Sequence, residues 1–159
     1  NYYSRNVIKH AEEANILETK EVKMDDSQYT EMGWEVYPQG LFNVLNRVNN
    51  EYSDLPLYIT ENGAAFADKL TENGKVKDHD RKEYIKGHLL KAHQAIEEGI
   101  PLKGYYLWSI MDNFEWAYGY SKRFGIVYVD YKDNQKRYIK ESGKFYSNVI
   151  ERNGIEIKD

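Results

Sequence analysis

Apolar residues recur along the chain at two spacings, and each spacing predicts a different kind of element. Residues 38–52 and 80–98 carry apolar side chains three or four positions apart, which is the spacing of an amphipathic helix. Gly99 follows the second stretch and predicts its C-terminal end. A third, shorter helix is predicted at 138–150. The apolar positions are Leu41, Val44, Leu45 and Val48 in the first helix and Tyr84, Ile85, His88, Leu89, Ala92 and Ile96 in the second.

Short apolar runs between the predicted helices predict strands. Residues 57–60 are β-branched or aromatic and are bounded by Pro56 and by the pair Asn62-Gly63, so they predict a short buried strand. Further strands are predicted at 1–3 and 102–107, a strand or extended segment at 124–131, and long polar loops at 12–30 and 66–78. Because strands and helices alternate, the fold class is predicted to be α/β, with parallel strands and crossover helices.

A glutamate, Glu61, follows the strand predicted at 57–60 directly. In barrel enzymes, a carboxylate at the C-terminal end of a strand points into the mouth of the active site. The same tetrapeptide, Thr-Glu-Asn-Gly, recurs around Glu72, but no apolar run precedes that copy, so it predicts a solvent-exposed turn. Glu61 is therefore a candidate catalytic carboxylate, and Glu72 is not.

Composition narrows the classes of partner. The chain has 159 residues, enough for one domain, and its net charge of −4 is mixed along the sequence, which argues against nucleic acid as a partner. No apolar stretch approaches the roughly 20 residues of a membrane span. The absence of cysteine predicts a cytoplasmic protein without disulfides. No metal or cofactor is expected, because His88 and His93 lie five positions apart and do not share a helix face.

Aromatic residues are abundant, with 15 Tyr, 3 Trp and 5 Phe. One group of them follows the strand predicted at 102–107, where Glu115 lies between Trp108 and Trp116. A carboxylate beside indole rings can hold two neighbouring sugar hydroxyls while the rings cover the apolar face of a pyranose. The alternative is that these aromatic residues form a small packing cluster, which is the commoner fate of a large aromatic side chain.

Both blocks resemble glycoside hydrolase family 1, the retaining β-glucosidases built on a (β/α)8 TIM barrel. Ile-Thr-Glu-Asn-Gly at 59–63 resembles the nucleophile signature at the end of the seventh strand, and 108–130 resembles the eighth-strand loop that binds the nonreducing glucose. Residues 1–3 are similar to the end of the sixth strand, 32–41 to the segment whose Trp walls the aglycone side, and 80–89 to the helix after the nucleophile. The resemblance implies that the whole chain is a C-terminal segment of one barrel domain, from the end of the sixth strand onward.

The resemblance also implies a role for each candidate residue. Glu61 would be the nucleophile, and Tyr3 would position it through a hydrogen bond that favours its charged form. The implied substrates are β-glucosides or cello-oligosaccharides with a terminal nonreducing glucose. The implied substrate-binding residues are Asn1 in the cleft, Trp34 on the aglycone side, Trp108 beneath the sugar, Glu115 at O4 and O6, Trp116 near O3 and Phe124 beside O6.

One part of the family pattern is missing from the chain. Family members carry their acid/base glutamate in a segment similar to Thr-x-Asn-Glu-Pro, and no Asn-Glu-Pro occurs here. Glu51 and Glu83 lie on predicted helices and have the wrong context to replace it. The isolated chain is therefore predicted to be inactive, and its expected partner is the N-terminal remainder of the same enzyme.

Two other functions stay open at this point. The chain could be a noncatalytic sugar-binding half-barrel that self-associates to cover its open sheet edges. It could also be a 6-phospho-β-glycosidase, a class that resembles it but has Ser where Glu115 stands, and Lys and Tyr where Lys122 and Phe124 stand. Only Lys122 agrees, and a carboxylate at position 115 would repel a phosphate dianion.

Overall fold

The computed structural model describes residues 1–12, 15–52 and 54–156, and helices and strands alternate through most of this part of the chain. The helices are α1 (Pro38–Glu51), α2 (His79–Glu97) and α3 (Glu141–Arg152). The strands are β1 (Ile8–His10), β2 (Thr19–Glu21), β3 (Leu57–Asn62), β4 (Leu102–Leu107), β5 (Val127–Asp130) and β6 (Lys136–Ile139).

The centre of the fold is a β3–α2–β4 unit, which confirms the predicted α/β pattern. β3 and β4 pair in parallel, with Ile59 opposite Tyr105, and α2 makes the crossover between them. α1 packs beside α2 on the same side of the strand pair. The core between strands and helices consists of Leu41, Leu45, Ile59, Ala92, Ala95, Ile100 and Leu102, together with Tyr2.

Helix positions follow the apolar spacing closely for the first two helices. Leu41 and Leu45 are buried in α1, whereas Val44 is exposed. α2 ends at Glu97, and Gly99 has a φ of +88°, a left-handed conformation that stops a helix. Ile96, which was predicted on the buried face of α2, is exposed, whereas its neighbour Ala95 is buried in the core, so the buried face passes through Ala95 at this end of the helix.

Several predicted boundaries are wrong. The loop predicted at 12–30 contains β2, which pairs antiparallel with β1; residues 13 and 14 of that loop lie outside the described residues. The helix predicted at 138–150 begins only at Glu141, because the residues before it form β6 and pair with β5. Within the strand or extended segment predicted at 124–131, the strand is Val127–Asp130.

The strand predicted at 57–60 is present but is buried on one face only. Ile59 contacts the helices, whereas Tyr58 is 56% exposed on the opposite face. Residues 1–3, predicted as the end of a strand, are not in a strand, although the backbone N–H of Tyr2 donates to the carbonyl of Glu61 at 3.0 Å. The N-terminal segment therefore lies along β3 with little regular pairing.

The second Thr-Glu-Asn-Gly copy is a surface turn, as predicted. The N–H of Gly74 donates to the carbonyl of Thr71 at 2.9 Å, and Gly74 has a φ of +72°. Glu72 is exposed at the tip of this turn. Two identical tetrapeptides thus have different structures because only one of them continues a strand.

Within the residues that the structure describes, no helix has the length and apolar character to cross a membrane. The same residues contain no group of three or more histidine, aspartate or glutamate side chains placed to hold a metal ion.

Candidate active site

Glu61 is the penultimate residue of β3 and lies at the end of the strand pair. The hydroxyl of Tyr3 donates to Glu61 Oε2 at 2.7 Å. Both residues are half-buried. The N-terminal segment and β3 are thus joined at this point by one side-chain bond and by the backbone bond from Tyr2.

The Tyr3 hydroxyl is held in its neutral, donating form. Burial raises the pKa of Tyr3 well above its usual value, and the hydrogen bond to Glu61 raises it further. The negative charges of Glu61 and Glu115 also raise the Tyr3 pKa. A neutral hydroxyl can donate its proton in this hydrogen bond, so it fixes the position of the carboxylate oxygen that accepts from it.

Three aromatic side chains predicted for the site lie together. The ring of Trp34 lies 5.4 Å from that of Tyr3 and 6.0 Å from that of Phe124, centroid to centroid. Phe124 and Tyr3 meet edge to face at 6.3 Å. Trp34 follows a turn in which Gly33 has a φ of +75°, so the chain can reverse there and present the indole to the other two rings.

The loop after β4 begins beside Glu61. The backbone N–H of Trp108 donates to the carbonyl of Asn62 at 2.9 Å. This bond fixes the backbone of Trp108 at the start of the loop. Glu115 is half-buried and precedes a short 3-10 helix, Trp116–Tyr118. Trp116 itself is 84% exposed, so the structure does not bring it into the aromatic group around Tyr3.

Asn1 lies on the exposed side of the strand pair. Its Oδ1 accepts a hydrogen bond from the Thr60 hydroxyl at 2.5 Å. Asn1 is therefore fixed beside the residue that precedes Glu61, with its side chain open to solvent.

A buried ion network lies behind these loops, and sequence reasoning missed it. Arg81, in the first turn of α2, donates to Asp68 at 2.8 Å and to Asp78 at 2.6 Å. It also donates to the carbonyls of Ala64 and Arg123. Arg81 therefore ties the segment after Glu61 to the segment that carries Phe124.

Lys140 extends the network to the loop after β4. Its Nζ donates to Asp68 at 2.5 Å and to Asp112 at 2.8 Å. Asp112 in turn accepts from Arg123 at 2.5 Å and from the N–H of Gly125 at 3.1 Å. Three cationic and three anionic side chains make up the network, and all but Arg123 are almost fully buried: Arg81, Arg123, Lys140, Asp68, Asp78 and Asp112.

One sequence signal could have revealed part of this network. Arg81 lies three, four and seven residues before Tyr84, Ile85 and His88, so it shares the apolar face of α2. A charged residue on the buried face of a helix requires a buried partner. The partners Asp68 and Asp78 lie in the loop predicted at 66–78 and carry no such pattern.

Lys122, the residue that suggested a phosphate, has a partner within the chain. Its Nζ donates to the backbone carbonyl of Glu31 at 2.9 Å. It also lies over the ring of Tyr118, at 5.6 Å from the centroid. Lys122 thus joins the loop after β4 to the turn that presents Trp34.

Comparison with known proteins finds close relatives along nearly the whole chain. Glycosyl hydrolase family 1 matches residues 1–155. Beta-glucosidase A of Thermotoga maritima is 52% identical over 156 residues, which is 98% of this chain and 34% of that protein. Beta-glucosidase A of Acetivibrio thermocellus is 46% identical over 157 residues, 98% of this chain and 35% of that protein. The chain thus spans about a third of the length of the curated relatives it matches.

Solved structures match the fold equally well. The family 1 β-glucosidase from Thermotoga maritima superposes with a TM-score of 0.92 at 51% identity, covering 98% of this chain and 34% of that one. The same enzyme in complex with cyclophellitol gives a TM-score of 0.91 at 52% identity, with the same coverage.

Proposed function

The chain belongs to glycosyl hydrolase family 1, and from this premise we propose that it supplies the nucleophile and part of the glucose-binding site of a retaining β-glucosidase. The solved relatives are (β/α)8 barrels, and this chain forms part of such a barrel. Because the chain covers about a third of their length, the activity proposed is that of the barrel as a whole.

The observation that carries the proposal is the pair formed by Glu61 and Tyr3 at the end of β3. A retaining glycosidase needs an ionised carboxylate that attacks the anomeric carbon and a second carboxyl group that protonates the leaving oxygen. The Tyr3 hydroxyl, at 2.7 Å from Oε2, fixes one oxygen of Glu61. The other oxygen then attacks the sugar and forms the glycosyl-enzyme intermediate.

The surrounding side chains suit a glucose ring next to Glu61. Trp108 is the first residue of the loop after β4, and its backbone bonds the residue that follows the nucleophile. Glu115, in the same loop, raises the pKa of Tyr3 through its negative charge. We assign Trp108 to the floor of the sugar site and Glu115 to its O4 and O6 hydroxyls. Phe124 then lies beside O6, Trp34 on the aglycone side, Trp116 near O3 and Asn1 in the cleft.

The acid/base carboxyl group comes from outside this chain. We propose that the N-terminal remainder of the enzyme supplies it, and that this chain alone is inactive. Aryl β-glucosides are the stringent test, because their good leaving groups need little help from an acid. Turnover by the purified chain at a rate near that of its relatives would contradict the proposal.

The nucleophile assignment can be tested in a chimera in which this chain replaces the segment of Thermotoga maritima beta-glucosidase A that it matches. A 2-deoxy-2-fluoroglucoside traps the glycosyl-enzyme, and mass spectrometry of the digested protein locates the label. We expect the label on Glu61 and loss of labelling in Glu61→Gln. Glu72→Gln, in the identical tetrapeptide, is the matched control and should label normally. Label on Glu72 or Glu115 would overturn the assignment.

One observation favours a second candidate function, a noncatalytic half-barrel that self-associates. Tyr58 of β3 and Tyr106 of β4 are both more than half exposed on the same strand pair, so this face is open to a partner. The N-terminal remainder or a second copy of the chain could cover it. The mass of the purified chain, measured by light scattering, separates a homo-oligomer from a monomer that awaits its complement. A cytoplasmic location stays a prediction.

A further inference from the structure

The hydroxyl of Tyr84 lies behind the candidate nucleophile, between two segments that flank it. Tyr84 is on α2 and is 1% exposed. Its hydroxyl donates to the backbone carbonyl of Tyr3 at 3.0 Å and accepts from Asn62 Nδ2 at 3.1 Å. It thus contacts the residue that binds the Glu61 carboxylate and the residue that follows Glu61 in β3.

Asn62 uses its whole side chain in the same cluster. Its Nδ2 also donates to the carbonyl of Tyr2 at 2.7 Å, and its Oδ1 accepts from the hydroxyl of Tyr105 on β4. Asn62 is fully buried. The amide therefore joins the N-terminal segment, β3 and β4 just below Glu61.

The Tyr84 ring packs against His88, which holds it in place. The ring of His88, one turn later on α2, lies 4.0 Å from it, and His88 Nδ1 bonds the Tyr84 carbonyl at 2.8 Å. Burial raises the pKa of Tyr84 well above its usual value, so the hydroxyl stays neutral and can both donate and accept. A rigid, fully buried hydroxyl is suited to fixing backbone groups.

We propose that Tyr84 is a positioning residue for the nucleophile, which it orients through the backbone of Tyr3 and the side chain of Asn62. The inference rests on the proposed role of Glu61. The Tyr3 hydroxyl can meet the carboxylate at 2.7 Å only while the Tyr3 backbone keeps its distance from β3. The Tyr84 hydroxyl bonds the carbonyl of Tyr3 on one side and the side chain of Asn62, in β3, on the other.

Removal of this hydroxyl takes one hydrogen-bond partner from each of two polar groups beside Glu61. The Tyr3 carbonyl loses its donor, and Asn62 loses one of its acceptors. A buried polar group without a hydrogen-bond partner is costly, so a shift of the backbone toward other partners is favoured. The expected result is that Tyr3 shifts relative to Glu61 and that attack on the anomeric carbon slows, while the sugar-binding side chains stay in place.

The first test is Tyr84→Phe in the chimera, with the rate of trapping by a 2-deoxy-2-fluoroglucoside as the readout of nucleophilic attack. We expect the trapping rate and kcat to fall roughly tenfold to a hundredfold, with KM nearly unchanged. Tyr146→Phe is the matched control, because the Tyr146 hydroxyl also donates to a backbone carbonyl, that of Tyr105 at 3.3 Å, but lies on α3. Equal rates for the two variants would overturn the inference.

The second test separates positioning from general structural damage. If Tyr84 acts through Tyr3, then Tyr84→Phe should change little in a chimera that already carries Tyr3→Phe. Independent, multiplicative effects of the two substitutions would contradict the inference. Should the Tyr84→Phe chimera be partly unfolded in the assay, the same rates are measured at a lower temperature at which circular dichroism shows it folded, and the same outcomes apply.

The outcomes also distinguish this inference from the proposed function. Label on a residue other than Glu61 would refute the nucleophile assignment and the inference with it. Label on Glu61 together with a normal trapping rate in Tyr84→Phe would refute the positioning role alone.

Discussion

Replacement of Lys140 by methionine tests whether buried ion pairs hold the two loops of the candidate site together. The Lys140 ammonium lies 2.5 Å from Asp68 and 2.8 Å from Asp112, and all three side chains are no more than 1% exposed. Asp68 is in the loop after β3, and Asp112 is in the loop after β4. Lys140 thus forms a direct charged link between the loops that follow Glu61 and Trp108.

The expected loss of stability in Lys140→Met follows from the charge balance of the network. Its three cationic side chains match its three carboxylates, so loss of one cation leaves a buried negative charge uncompensated. The removal of one partner from a buried ion pair destabilises a protein by about 3–5 kcal/mol. Methionine is an unbranched side chain of similar length to that of Lys140, so lost packing contributes little.

The assay is urea unfolding of the chimera, followed by tryptophan fluorescence. Lys136→Met is the matched control, since Lys136 pairs with Asp133 at 3.1 Å but both side chains are largely exposed. Such surface pairs contribute little to stability. Lys140→Met should lower the midpoint clearly, and Lys136→Met should leave it unchanged. Indistinguishable midpoints would refute the view that the buried pairs stabilise these loops.

Three further predictions concern stability, backbone packing and substrate. Burial lowers the pKa of His88 to about 4 in the folded chain, against 6.5 in the unfolded chain. Between these two pH values the unfolded chain binds more protons than the folded chain. The free energy of unfolding should therefore fall by up to about 3 kcal/mol from pH 6.5 to pH 4. His88→Gln should flatten this dependence, and His93→Gln on the exposed face should not. Gly63→Ala should abolish trapping of the glycosyl-enzyme, because a Cβ there would lie 1.7 Å from the carbonyl oxygen of Trp108. The chimera should prefer p-nitrophenyl β-glucoside over its 6-phosphate, and Glu115→Ser should narrow the gap; equal turnover by the unmutated chimera would contradict this.

Elements with local periodicity could be predicted from the sequence. β3, α2 and β4 each have an apolar pattern and clear boundaries, and the structure places them within two residues of the predicted limits. Gly99 gave the end of α2 because a left-handed residue stops a helix in any context. These signals are sufficient to place Glu61 at the end of a parallel strand.

Elements formed by pairing of polar segments could not be predicted. β1 and β2 are short and largely exposed, with no alternation of apolar residues, so only their mutual hydrogen bonds define them. β6 is also short and largely exposed, and it includes the first residues of the helix predicted at 138–150. The ion network was missed for a related reason: Asp68 and Asp112 lie in polar loops, and nothing in the local sequence distinguishes a buried aspartate from a solvated one.

The orientation of Glu61 depends on a register shift in β3 that the alternation of apolar residues does not predict. In a regular strand, Ile59 and Glu61 would share a face, and Glu61 would point at the helices with which Ile59 packs. The register of β3 against β4 shifts between Ile59 and Asn62, and it is Asn62 that meets Tyr84 on α2. This change of face lets two adjacent residues serve different purposes. Asn62 anchors the strand end to the helix layer, and Glu61 is free to turn toward Tyr3. A bulge beside an active site re-aims a side chain in this way.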